Sequence, residues 1–257
     1  MFLIEENTLS KAWLAAFKVC YGASGKTVSP ISVSFPVDHD NFDIEVPFIR
    51  AQLDEYMRGR KLTSIATVSE TIFPQSLWNA AQGDRHALYQ KYLQILPRIR
   101  LTPCNRKGIY FQRMIAFENP TAEPVNQLEH VISTWEGRNH RSSALQAAIF
   151  NPCKDHSNAP ILGFPCLHQV AFHPEGSNGH NGLSVVAFYA KQLSLEKAYG
   201  NYLGLCNLGR FMANEMGLKL TRVTCVASVL EMSSNLTKGE AKLLINQLQP
   251  KDLSGET

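Results

Sequence analysis

The sequence predicts an α+β fold built on a mixed sheet, and three observations carry that prediction. Apolar residues recur at helical spacing near the front, in the middle and towards the end of the chain. Alternating or continuous apolar runs with strand chemistry lie between those segments. The two kinds never settle into regular strand–helix–strand order. With 257 residues, 44% hydrophobic and 18% charged, the chain can bury a full core and is too apolar for disorder. One domain spanning residues 1–257 is expected.

Residues 8–22 (TLSKAWLAAFKVCYG) read as a capped amphipathic helix, with Trp13, Leu14, Phe17 and Val19 on or near one face and Gly22 as its stop. A strand follows at 29–36 (SPISVSFP), then helices at about 47–58 and 84–97. Residues 124–135 (PVNQLEHVISTW) predict a helix opened by its proline, a favoured first-turn residue. Strands are expected at 144–150 (ALQAAIF), 165–172 (PCLHQVAF) and 182–191 (GLSVVAFYAK), the last entered through the turn EGSNGHNG. A long helix at about 198–216 ends at Gly217, residues 219–231 (KLTRVTCVASVLE) return to strand, and a polar helix closes the chain.

Composition excludes several function classes. The net charge of +3 is too small to argue for nucleic acid by itself. The N-terminus MFLIEENTLSKAW has acidic residues where a secretory signal needs basic ones, and no apolar run approaches the roughly 18 residues that span a bilayer. A cytoplasmic protein without membrane contact is expected. Six cysteines stand singly, without zinc spacing, and read as free thiols. The histidines form no ligand spacing, so no metal is expected. The stretch RIRLTPCNRKGIYFQR (98–113) holds five basic residues and two aromatics. It reads as a solvated strand pair or as a basic hairpin contacting nucleic acid, the weaker reading.

The segment GFPCLHQVAF (163–172) sets the functional question. Cys166 follows a proline at the head of a strand, where it is either a nucleophile or a buried structural thiol. His168 shares its face by strand alternation. As an imidazolium it would activate the thiol; otherwise it is a satisfied sheet histidine.

The ordered set IFNP (149–152), FPC (164–166), LSVVAFYAK (183–191), GNYLGLCNLGRFMANEMGL (200–218) and VTCVASVL (223–230) resembles thymidylate synthase and its relatives, the pyrimidine-nucleotide hydroxymethylases. TVSETIFP (67–74) and the Ala12–Trp13 pair are similar to more divergent members. The resemblance implies a thymidylate-synthase-like mixed sheet flanked by helices, in a sheet-to-sheet homodimer. It implies an enzyme that moves a methyl or hydroxymethyl group from 5,10-methylenetetrahydrofolate to C5 of a pyrimidine nucleotide. Cys166 would add to C6, Glu70 would manage proton transfer, and Asn201 would read the base edge. Tyr110 would be the aromatic side chain near cofactor and substrate.

This chain departs from the family pattern around the phosphate. The paired arginines fall near Ser143–Ala144, leaving Arg138 and Arg141 a few residues upstream, and the Arg–Ser–x–Asp element becomes Lys191–Gln192–Leu193–Ser194. Lysine meets a phosphate as a point charge, without the guanidinium fork. The His and Tyr that hold the sugar fall at Val229 and Glu231, and the His after the cysteine is Leu167. The alternative reading is therefore an inactive homologue that binds a nucleotide or a regulatory partner.

Overall fold

The computed structural model describes residues 1–37, 44–119, 122–137, 140–158, 164–176, 182–233 and 235–249. A short strand β1 (Phe2–Glu5) leads into helix α1 (Leu9–Gly22). Thr8 caps α1 by accepting from the Lys11 amide, which satisfies one of the otherwise unpaired first-turn donors. Trp13, Phe17 and Cys20 are fully buried, and the Trp13 indole donates to the Ser194 carbonyl at 2.7 Å. Then come β2 (Thr27–Val28), β3 (Ile31–Pro36) and α2 (Pro47–Gly59), which buries Ile49, Leu53 and Met57 four residues apart.

Three helices follow, α3 (Ile65–Ile72), α4 (Gln75–Ala81) and α5 (Arg85–Ile99), the last capped by the Asp84 carboxylate on the His86 and Ala87 amides. The basic stretch 98–113 is not a strand pair. It comprises the end of α5, a 3-10 turn at Pro103–Asn105 and the start of α6 (Tyr110–Ile115). The hairpin β4 (Phe117–Asn119) and β5 (Ala122–Val125) comes next. Pro124 lies in β5 rather than opening a helix; α7 (Gln127–Glu136) starts later because Asn126 caps it through the Glu129 amide.

The remaining elements are β6 (Gln146–Ala148), α8 (Pro152–Asp155), β7 (Leu167–Glu175), β8 (Gly182–Tyr189), β9 (Gln192–Leu193), α9 (Tyr199–Glu215), β10 (Lys219–Ala227), β11 (Leu230–Glu231) and α10 (Lys238–Gln247). The expected strand 219–231 is thus broken after Ala227. Most of the expected turn 175–182 (residues 177–181) lies outside the described residues. Among the described residues no helix is long and apolar enough to cross a membrane.

The main sheet has the order β1-β3-β10-β8-β7-β6 and is mixed, as expected of an α+β chain. β1 runs parallel to β3 and β8 parallel to β10; the other neighbours are antiparallel. Parallel neighbours need a crossover, and α9 supplies it between β8 and β10. One face buries Val170, Phe172, Val185, Ala187, Val223 and Cys225. The other face leaves Val186 and Phe188 exposed, beside Ala171, Thr224 and Val226 on the neighbouring strands.

Helix α9 lies close against α3. A Cβ on Gly200 would stand 2.6 Å from the Val68 Cβ, and one on Gly204 would stand 2.8 Å from the Ser69 carbonyl oxygen. Only glycine permits that approach. It fixes the start of α9, and with it the turn that leads in from β9.

Candidate active site

Cys166 precedes β7, after a cis Phe164–Pro165 peptide. Its carbonyl accepts from the Ala190 amide at 3.0 Å, tying the cysteine loop to the end of β8. The thiol is half-buried rather than sealed in the core, unlike Cys20, Cys206 and Cys225.

Tyr110, the first residue of α6, reaches this thiol. Its phenol interacts with the Cys166 and Leu167 backbone amides and with the Cys166 sulfur, while burial pushes its own pKa up. Burial also raises the Cys166 thiol above the ordinary range; the charges of Lys197 and Lys191 and the Tyr110 hydroxyl pull it back down. The Tyr110 ring packs on Phe164 at 5.3 Å between centroids, and the Arg113 guanidinium lies 5.3 Å from the centre of the same Phe164 ring. Arg113 is held by a buried ion pair to Asp155 at 2.9 Å. Asp155 also accepts from the Asn151 amide at 2.7 Å.

Lys197 carries no sequence signal of its own, being one charge in the segment SLEKA. The backbone makes a π-helical turn over Ser194–Ala198 before α9, and this turn brings Lys197 within electrostatic reach of Cys166. Such turns are rare and recur at functional sites. Lys191 is about half exposed and forms an ion pair with Glu231 at 2.5 Å.

The other candidate residues are placed as follows. Glu70 lies on α3 and accepts from the Ser76 amide at 3.1 Å and the Ser76 hydroxyl at 2.8 Å; it is not among the charges felt at Cys166. Asn201 is buried in the first turn of α9. Gln192 points inward, where its Oε1 accepts from the Tyr202 hydroxyl at 3.2 Å. Arg141 is exposed at the start of the 3-10 turn Ser142–Ala144. Arg138 lies outside the described residues.

His168 does not follow simple alternation, because a bulge interrupts the β7–β8 register between Leu167 and Gln169. Its ring stacks on Phe150 at 4.7 Å and lies 6.0 Å from Phe188. Burial lowers its pKa against the opposing pull of Asp155 and a bond to the Pro165 carbonyl, so near neutral pH the imidazole is uncharged. It is a satisfied sheet histidine, and the cations at the thiol are lysines.

This arrangement can serve covalent catalysis: a half-buried thiol with a hydroxyl and two lysine charges acting on it. No family model and no curated protein matches the chain.

The lysines make a measurable difference. The rate of Cys166 alkylation by iodoacetamide is expected to rise with pH around a midpoint above that of an ordinary thiol, since only the thiolate reacts. Lys197→Met removes a charge that favours the thiolate, so the midpoint moves to still higher pH. A midpoint that stays in place or falls in Lys197→Met would contradict the assignment. Mass mapping of the labelled peptide separates Cys166 from the exposed Cys153.

Proposed function

We propose that the chain is a thymidylate-synthase-like enzyme that transfers a methyl or hydroxymethyl group to C5 of a pyrimidine nucleotide. The observation that carries this reading is the grouping of Tyr110, Lys191 and Lys197 around a half-buried Cys166. The ordered motifs of the back half support it. The exposed strip around Val186 and Phe188 supports a sheet-to-sheet homodimer.

In the proposed reaction the Cys166 sulfur bonds to C6, and the displaced electron pair becomes an enolate over C5 and O4. C5 then bonds to a one-carbon unit at the formaldehyde level, whose own π pair moves onto its heteroatom. Replacement of that heteroatom by water gives a hydroxymethyl product, and replacement by hydride from a reduced cofactor gives a methyl product. A base removes the C5 proton, the pair left behind re-forms the C5–C6 double bond, and the thiolate departs. Tyr110 donates to sulfur when it carries charge, and Lys197 and Lys191 stabilise that charge and the substrate phosphate. Asn201, buried at the start of α9, is the proposed reader of the base edge, and Glu70 the proposed proton carrier once it exchanges Ser76 for a water. Arg141 and Arg138 are proposed for the phosphate from the partner protomer.

5,10-Methylenetetrahydrofolate, when bound, supplies the one-carbon unit. The side chains nearest Cys166 are cationic and aromatic, which suits an anionic substrate with a flat ring. Where the family's Arg–Ser–x–Asp element ends in a carboxylate, this chain has the buried hydroxyl of Ser194, which offers a folate ring no charged partner. The residues present do not complete a pterin site, and no step above is routed through the folate.

A second reading, a nucleotide-binding protein without activity, draws support from Glu70 held by Ser76 and Lys191 held by Glu231. One experiment separates the two. The protein is incubated with 5-fluorinated uridine and cytidine nucleotides and methylenetetrahydrofolate, and its intact mass is measured. The enzyme reading expects a covalent adduct that Cys166→Ser abolishes. No adduct with any of these nucleotides would sink it.

A further inference from the structure

A recess of about 500 Å³ lies between the end of α5, the 3-10 turn, α6 and α8, and shares Phe164, Arg113 and Asp155 with the surroundings of Cys166. Five cations and two acids line it. The acids are already engaged: Asp155 holds Arg113, and Glu118 holds Lys154. Arg100, Arg106 and Lys107 also line the recess and form no ion pair among the described residues. Its surface therefore carries an excess of positive charge over a concave floor.

A second observation points to a ligand. Gln112 lines the same recess, is only 3% exposed, and its Oε1 has no hydrogen-bond partner. Buried polar ends without a partner are rare in folded proteins. Gln112 borders a space large enough for a small molecule.

We infer that this recess binds a small phosphate ester, with Arg100, Arg106 and Lys107 on the phosphate and Gln112 on a hydroxyl of the organic part. Two guanidinium forks match paired phosphate oxygens, and a lysine adds a point charge. The Gln112 acceptor asks for a donor beside the phosphate, which a sugar hydroxyl provides. Phe164 closes one wall with an apolar ring. The charges line a hollow rather than a stripe, which favours a small anion over a nucleic-acid strand. The inference stands independently of the C5 reaction.

The test is calorimetric titration of the Cys166→Ser protein with ribose 5-phosphate, so that covalent chemistry plays no part. Saturable binding is expected, with none for ribose at matched ionic strength. Arg106 and Lys107 are exposed, so Arg106→Glu/Lys107→Glu is expected to fold normally and to bind at least roughly tenfold more weakly, as loss of charge-assisted bonds implies. Gln112→Leu is expected to weaken ribose 5-phosphate several-fold and leave inorganic phosphate unchanged. No saturable binding up to about 10 mM, or unchanged affinity in the double variant, overturns the site. Tighter binding of a single-stranded oligonucleotide that displaces ribose 5-phosphate overturns it in favour of a nucleic-acid surface.

Discussion

Asp155→Ala is expected to lower the unfolding free energy by about 3–5 kcal/mol, the range found when one partner of a buried ion pair is removed. The Asp155 and Arg113 side chains are 6% and 4% exposed. Asp155 receives two guanidinium nitrogens, at 2.9 and 3.3 Å, and the Asn151 amide at 2.7 Å. Without it, Arg113 keeps only the Ile149 carbonyl at 3.3 Å and the Phe164 ring, too little to offset a buried charge. Asp155→Asn preserves an acceptor for Asn151 and is expected to cost less. Urea unfolding with an unchanged m-value is the measurement. A loss below about 1 kcal/mol, the scale of a surface pair, would show that the pair is open to water in solution.

Gly108→Ala is expected to damage both stability and the site. Gly108 has φ +145°, a backbone region that side chains rarely enter, at a cost on the order of 1–3 kcal/mol. A Cβ there would lie 2.5 Å from the Phe164 ring, and overpacking adds about 1–3 kcal/mol. Phe164 stands two residues before Cys166 and against Tyr110, so relief of the clash shifts the thiol and its hydroxyl donor. The expected readouts are a lowered melting temperature and slower labelling of Cys166 at fixed pH. Adding Phe164→Leu is expected to recover part of the stability, since it relieves the clash but not the backbone. A fully stable Gly108→Ala with wild-type labelling would refute the close packing.

Helices α1, α2, α5 and α9 are legible in the sequence because their apolar residues recur at helical spacing and polar or glycine positions mark their ends. Helix α3 is not. Its residues IATVSETI are rich in β-branched side chains, which favour strands. It is helical because Ser64 caps it and Val68, Ser69 and Ile72 meet glycines of α9. Strand β7 is legible, but a one-residue bulge is not, and that bulge decides where His168 points. Cys166 is legible from its place after a proline at the head of a strand. Its electrostatic surroundings are not, because Tyr110 comes from a stretch that reads as strand and Lys197 depends on a π turn with no local signature.

Placing Tyr110 beside Cys166 requires α6 and the head of β7 to dock. The two residues belong to segments far apart in the chain, and contacts of that kind form late because a long loop must close first. Until α6 docks beside the head of β7, Cys166 is an ordinary cysteine without its hydroxyl donor, and before β9 and the π turn are in place it lacks its lysines. In a nascent or partly unfolded chain Cys166 titrates as an ordinary thiol. Completion of the fold buries it and raises its pKa, so folding lowers its thiolate fraction, and Lys197, Lys191 and Tyr110 offset only part of that loss.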